Sequence, residues 1–410
     1  MAKAWSAQSK SLVEVQKKGT KLEATIRQLL GWESGKIVYE PAFDYKVQVD
    51  SVFPSTKKPQ AVVSVTYTSP DTPGHSNENK LHLKVGELAL LKKAYPKIRT
   101  VLAIGGAKES WLPYVLKAFR HFYDEVVYLW EPAGFERLRR IQANPLSTKL
   151  KNVSLWSSMK SELDRIKFIS VNCKPPCGLV RYKILDILKA QTPIVHNPFL
   201  ITNEVARLCM QRSFENNGAE WQSYLSGRWH NIEMSRNYFN PVEASVEISL
   251  ESQKFQFKGG IARDVPVPSL LHELGMPSTS VSEDFVLYSE VLNMPVYIQC
   301  KSSGGGRDQH GKNIQNRTKE QITRSIIYRC GKNNDEIKWK KKKFHWIAIL
   351  DGDWGVTKKE PLKYIHMLQL AGYDKIMSAS DLLDTNCNVN RKGNPLIEYL
   401  TRYLNCTVET

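Results

Sequence analysis

The chain of 410 residues contains no run of 18 or more apolar side chains, so the sequence predicts no membrane-spanning helix. Its opening residues lack the apolar core of a secretion signal, which gives the expectation of a cytoplasmic protein with no membrane attachment. Paired cysteines are missing too. Seven cysteines lie scattered at 173, 177, 209, 300, 330, 387 and 406, an odd set that does not form a disulfide framework. Only Cys173 and Cys177 are close in sequence, and no second pair or nearby histidine completes the four ligands of a structural zinc. Glycines 304–306 lead to Arg307 and lack the GK[ST] ending of a phosphate-cradling loop, so no nucleotide cofactor is expected. Methyltransferase and helicase motifs are likewise absent.

Negative charge is in short supply. Against 58 Lys and Arg stand 41 Asp and Glu, a formal charge of +17. That balance says nothing about fold, but it makes a polyanion the expected partner, DNA or RNA ahead of an anionic membrane surface. With 41% hydrophobic and 24% charged residues the composition is that of a globular chain, long enough for two or three cores.

The hydropathy pattern orders the chain. Leu12, Val15, Leu22, Ile26, Leu29 and Leu30 share one face of a helix over 8–30, which Gly31 is placed to stop. Strands are predicted over 43–53 and 61–68, a helix over 80–94, a strand over 99–106, a helix over 111–122 and a strand over 125–130. The C-terminal part follows the same order. A short helix over 268–275 precedes strands over 284–291 and 295–302, a helix over 319–328, a strand over 344–352, a helix over 361–371 and a strand over 374–379. The recurrence suggests two tandem copies of one unit. Aligned by their loops, Ser64 and Thr66 fall on Gln299 and Lys301, and His75 on His310. Between the two, SVEISLESQKFQFKGG (245–260) alternates like a hairpin. The expected division is an α/β domain over 1–131, a linking or recognition region over 132–264, and a second α/β domain over 265–410.

The sharpest chemical feature is Asp284, a hydrophobic strand, then Gln299-Cys300-Lys301. Alternation along a strand puts residues 299 and 301 on one face and Cys300 on the other. A carboxylate, an amide oxygen and the backbone carbonyl of Cys300 are hard donors of the kind Mg²⁺ accepts, and Lys301 is placed to orient an attacking water.

This pattern resembles the PD-(D/E)xK nuclease superfamily, to which many restriction endonucleases belong. The resemblance implies a mixed central sheet flanked by helices, with the acid on one strand and acid-x-Lys on the next. Carried onto this chain, Asp284 matches the motif aspartate, Gln299 its second acid, Lys301 its lysine, and Glu273 the carboxylate of a preceding helix. Two departures stand out: Gln replaces the usual Asp or Glu, and Glu283 replaces the Pro before the aspartate. In the first copy Glu23 and Asp50 fall at the acid positions, but Ser64-Val65-Thr66 supplies neither second acid nor lysine. That copy is expected to be inactive unless it draws a lysine from elsewhere, such as Lys80.

What the resemblance implies is a Mg²⁺-dependent endonuclease acting on double-stranded DNA, of the type II restriction class. Asp284, Glu273, Gln299 and the Cys300 carbonyl would hold the metal, and a homodimer would cut both strands. A DNA-binding protein that keeps a nuclease-like fold without catalysis, or a nuclease for repair intermediates or RNA, are the alternatives. Candidate backbone contacts are Arg307, Lys312, Arg317 and Lys319 after the glycines, and Lys340 and Lys341 in a run of five lysines within 338–343. Arg228, Asn231 and Arg236, in an aromatic segment, carry the groups that read base edges.

Overall fold

A computed structural model describes residues 17–40, 45–69, 74–147, 149–168, 241–259, 265–277, 281–301, 310–333, 336–350, 363–382, 390 and 393–406. Within them the chain forms fourteen strands. The first five are β1 (Glu33–Glu40), β2 (Tyr45–Phe53), β3 (Ala61–Tyr67), β4 (Arg99–Gly105) and β5 (Glu125–Tyr128). Next come β6 (Lys258–Gly259), β7 (Val265–Pro266), β8 (Ser282–Glu283), β9 (Phe285–Ser289) and β10 (Met294–Lys301). A hairpin, β11 (Cys330–Asn333) and β12 (Glu336–Trp339), is followed by β13 (His345–Leu350) and β14 (Lys375–Ser378).

The strands divide between two compact units, each gathered from separate stretches of chain. The first takes residues up to Ile166, Ser269–Pro277 and Lys319–Lys341; the second takes Lys167–Pro268, Ser278–Thr318 and Lys342–Thr410. The helix His310–Arg329 therefore contributes its opening turns to the second unit and the rest, from Lys319, to the first.

In the first unit a sheet of order β1-β2-β3-β4-β5 is antiparallel through β3 and parallel from β3 to β5. Parallel neighbours need a crossover, supplied by the helices Gly74–Ala94 and Pro113–Phe122. Leu81, Val85, Leu88 and Lys92 recur at helical spacing on the buried side of the longer one. The helix over 17–30 lays Ile26 and Leu30 against Val63, Val65, Val101, Ala103 and Val127. Fully burying each such aliphatic side chain contributes about 2 kcal/mol. Gly31, at φ +64°, ends that helix, its amide returning to the carbonyl of Arg27 at 2.9 Å, as the sequence predicts. A second glycine is needed for approach: a Cβ on Gly86 would lie 2.5 Å from the carbonyl oxygen of Lys319.

The second unit carries a sheet of order β6-β9-β10-β13-β14, again antiparallel over the first three strands and parallel over the last three. The fold is thus mixed α/β, with central sheets flanked by helices. The two sheets correspond in register as well as order. Val63 lies beside Val101 and Ile298 beside Ile347. Val101, Ala103 and Val127 of one core match Ile347, Ile349 and Met377 of the other.

Two segments differ from expectation. The stretch expected to begin a hairpin at 245 is instead the helix Pro241–Ser252. Its branched residues alternate like a strand, but Val242, Val246 and Leu250 also stand four apart, and burying them against Ile298 and Cys300 selects the helix. Strand β1 is not predicted, because Glu33, Ser34, Gly35 and Lys36 give its first half no apolar alternation. The segment 169–240, with Arg228, Asn231 and Arg236, lies outside the described residues, as do Arg307 and the side chains of Lys312, Arg317, His75 and His310.

One charge is deeply placed in the first sheet. Asp124, just before β5, accepts the amide of Thr100 at 2.8 Å and the Lys92 ammonium at 3.0 Å, both side chains of the ion pair being fully buried. Burial depresses the pKa of Lys92 against the pull of Asp124. At the matching place in the second sheet Asp374 accepts the amide of Trp346 at 2.7 Å and pairs with Lys342. Asp124→Ala, which strands a buried ammonium, should lose about 3–5 kcal/mol of stability. A urea midpoint unchanged from the parent protein would show that the pair contributes nothing.

Candidate active site

The antiparallel ladder between β9 and β10 ends at Phe285 opposite Ile298, so the next step sets Asp284 opposite Gln299. Beyond the ladder the amide of Cys300 would have no strand partner on that side, and Asp284 Oδ2 accepts it instead. The carboxylate is thereby fixed at the backbone amide that lies between Gln299 and Lys301, the two residues the sequence pattern singles out. Cys300 points into the apolar core with Val296 and Ile298, as strand alternation requires. Burial, then Asp284, Glu243 and Glu283, push its thiol well above its ordinary pKa, against the pull of Lys301. A thiol held protonated there is neither nucleophile nor metal ligand, so only its backbone carbonyl is available as a donor.

Gln299, only 1% exposed, accepts a hydrogen bond on Oε1 from the Tyr373 hydroxyl at 2.7 Å, and Tyr373 stacks on Trp346 at 3.9 Å between centroids. Lys301, at 8%, is also largely covered. Glu283, beside Asp284, is buried and accepts from the indole N–H of Trp346 at 3.0 Å, which makes it a packing residue of this face.

Glu273 is placed elsewhere. It ends the short helix Leu270–Glu273 in the first unit, where Oε2 accepts the amide of Lys332 at 2.8 Å. The helix that does precede the second sheet, Pro241–Ser252, carries Glu243 three residues before Val246 and seven before Leu250. In the first unit Glu23 stands three and seven residues before Ile26 and Leu30, in the same relation to the core. Sequence reading misses Glu243 because this stretch alternates like a strand; the i, i+4, i+8 spacing of Val242, Val246 and Leu250 is the available signal.

The first sheet repeats the arrangement with different side chains. Its ladder ends at Ser51 opposite Val63, the next step sets Asp50 opposite Ser64, and Asp50 Oδ2 accepts the amide of Val65 at 2.7 Å. No lysine stands on β3. The ammonium of Lys84, from the helix Gly74–Ala94, lies 3.5 Å from Asp50 Oδ2 and 3.4 Å from Glu87 Oε2. Glu87 also accepts from Lys319 at 2.9 Å, so that lysine is engaged inside the first unit. Burial opposes the charge on Lys84, but Glu87 and Asp50 outweigh it and raise its pKa. Lys80, the sequence candidate for this role, instead donates to the Tyr67 carbonyl and lies 5.6 Å from the Trp111 ring centroid. Burial brings its pKa down to about 8.

Among the lysines after the hairpin, Lys341 is exposed, while Lys340 crosses Gly331 so closely that a Cβ there would meet its ammonium at 1.7 Å. Among the described residues no three His, Cys, Asp or Glu side chains converge as a metal cage. Mg²⁺ does not require one, since it is commonly held by one or two carboxylates with water completing the shell. A carboxylate such as Asp284 fits that chemistry, and the carbonyl of Cys300 and the carboxylate of Glu243, whose charge acts with that of Asp284 on the Cys300 thiol, are further oxygen donors. No family model, curated protein or solved structure matches the chain.

Burial, and then the Asp50 charge, raise the pKa of Glu23 above 4.5. An acid with a raised folded pKa destabilises the protein once ionised; the penalty is absent below the unfolded pKa and grows as pH rises through the folded value. Glu23→Gln should therefore raise the melting temperature near pH 8 and leave it nearly unchanged near pH 4. An equal shift at both pH values would show that the charge of Glu23 is irrelevant.

Proposed function

We propose that the protein is a Mg²⁺-dependent endonuclease that hydrolyses phosphodiester bonds of double-stranded DNA, with its reactive centre at the Asp284 end of β9 and β10. The observation that carries the reading is the bond from the Cys300 amide to Asp284, which fixes one carboxylate at the backbone amide that lies between Gln299 and Lys301. The formal charge of +17 suits a polyanionic substrate. Asp284 and Glu243, with the Cys300 carbonyl, would hold the metal, which when bound supplies charge neutralisation at the phosphate and lowers the pKa of water. Lys301 orients the attacking water and offsets charge developing on the phosphoryl oxygens. Tyr373 holds the Gln299 amide so that its oxygen keeps one orientation. Water adds to phosphorus, the bond to the leaving sugar oxygen breaks, and that oxygen takes up a proton.

We further read the two sheets as tandem copies of one ancestral unit. Their common strand order, the matched registers and the paired aspartate-to-amide bonds of Asp50 and Asp284 support this. In the first copy Lys84 already neutralises Asp50 and Glu87, and that copy is inactive. A chain with one active copy cuts both strands of a symmetric site as a homodimer, the behaviour of type II restriction enzymes.

Plasmid and phage DNA incubated with the purified protein and Mg²⁺ should give discrete fragments. Lys301→Ala and Asp284→Ala should each lower the cleavage rate by about 100-fold or more. Parent-like cleavage by both variants would remove the centre from this site. Tight, salt-sensitive binding without cleavage, unchanged by Lys301→Ala, would identify a DNA-binding protein that has only the fold.

A further inference from the structure

We infer that the first unit carries a separate docking site for the phosphate backbone of double-stranded DNA, in a cavity of about 700 Å³ between the helix Pro113–Phe122, the loop 149–152 and the β11–β12 hairpin. The inference takes its ligand from the nuclease reading, but it needs none of the catalytic residues.

Five cationic side chains line this cavity: Lys117, Arg120, Lys149, Lys151 and Lys332. All five are exposed. Cations outnumber the acids that line it. Asp124 is paired with the buried Lys92, while Glu273, which accepts the amide of Lys332, and Glu336 are exposed. Five exposed cations thus stand against two exposed carboxylates.

The scaffold holds two of these cations, Arg120 and Lys151, in place. Arg120 donates through Nε to the Tyr128 hydroxyl at 2.6 Å, and its guanidinium lies 5.0 Å from that ring. The ammonium of Lys151 donates to the Arg120 carbonyl at 3.1 Å, while the Lys151 amide is fixed by Asp124 Oδ1 at 2.6 Å. Asn152, at φ +51°, turns its side chain to the His121 carbonyl and the Ile337 amide instead of capping the helix Val153–Leu163. That helix thus starts beside the cavity, directly after the lining residue Asn152, with no side-chain cap. Lysines on a fixed loop bind phosphates with little ordering cost, and with few groups to read base edges the contact is independent of sequence.

The test is binding of a short labelled duplex to the full-length protein without divalent metal, followed by fluorescence anisotropy over a range of salt. The variant combines Lys117→Ala, Lys149→Ala and Lys332→Ala; the control combines Lys57→Ala, Lys58→Ala and Lys108→Ala, which are exposed elsewhere. The pocket variant should flatten the slope of log K against log salt by about 0.9 for each phosphate it no longer neutralises, some two to three in total. The control should keep the parent slope. An unchanged slope in the pocket variant, or an equal flattening in the control, would overturn the proposal. Cleavage that survives Asp284→Ala and Lys301→Ala would move the reactive centre elsewhere, and no cleavage by the parent protein would sink the nuclease reading; either result leaves this binding result standing on its own.

Discussion

An amide left over where an antiparallel ladder stops is the constraint from which the candidate site follows. A strand N–H that has run past its neighbour's last paired residue must find an acceptor, and a carboxylate one residue beyond that last pair is in place to supply it. In the second sheet this joins Asp284 to Cys300, and in the first Asp50 to Val65. The bond fixes Oδ2 of each acid, and in Asp50 the Lys84 ammonium approaches that same oxygen. It also sets the residues flanking the amide on one face of the strand. A charge, an amide and an ammonium are thus gathered by backbone geometry before any ligand is considered.

The same constraint has two outcomes. On β10 the cation belongs to the strand itself, as Lys301. On β3 Ser64 and Thr66 carry no charge, and Asp50 takes its cation from Lys84, which Glu87 and Lys319 tie into a chain of alternating charges. A carboxylate with an internal ammonium already beside it has less to gain from an incoming divalent ion, because much of its charge is spent.

Most of the strand order was legible in the sequence, and the reasons are local. The strands β3, β4 and β13 are short runs of branched and apolar residues between turn signals, so their burial on both faces shows directly. That Cys300 turns to the core between Gln299 and Lys301 was legible from strand alternation, and that Asp284 stands beside them from the expected pairing of adjacent strands. What escaped depended on distant packing. Glu243 was hidden because Val242, Val246 and Leu250 satisfy two periods at once, and only the core formed by Ile298 and Cys300 decides between them. Lys84 was passed over for Lys80 because the two lie on one helix a turn apart, and only the crossing of that helix over β3 shows which reaches Asp50. Lys319 reads as a surface cation; its pairing with Glu87 joins residues 232 positions apart.

The interleaving of the two units has a consequence for synthesis. The first unit is completed by residues as late as Lys341, while the second begins at Lys167. On a ribosome the first sheet emerges long before the helix turns and hairpin that complete its unit, and at about 5–20 residues per second the wait is on the order of ten seconds or more. Until then His82, Gly86 and Glu87 of the helix Gly74–Ala94 stand without their later partners, Lys319 and Thr323. The first unit therefore cannot be finished before the second is begun, because its last pieces are made after much of the second unit already exists.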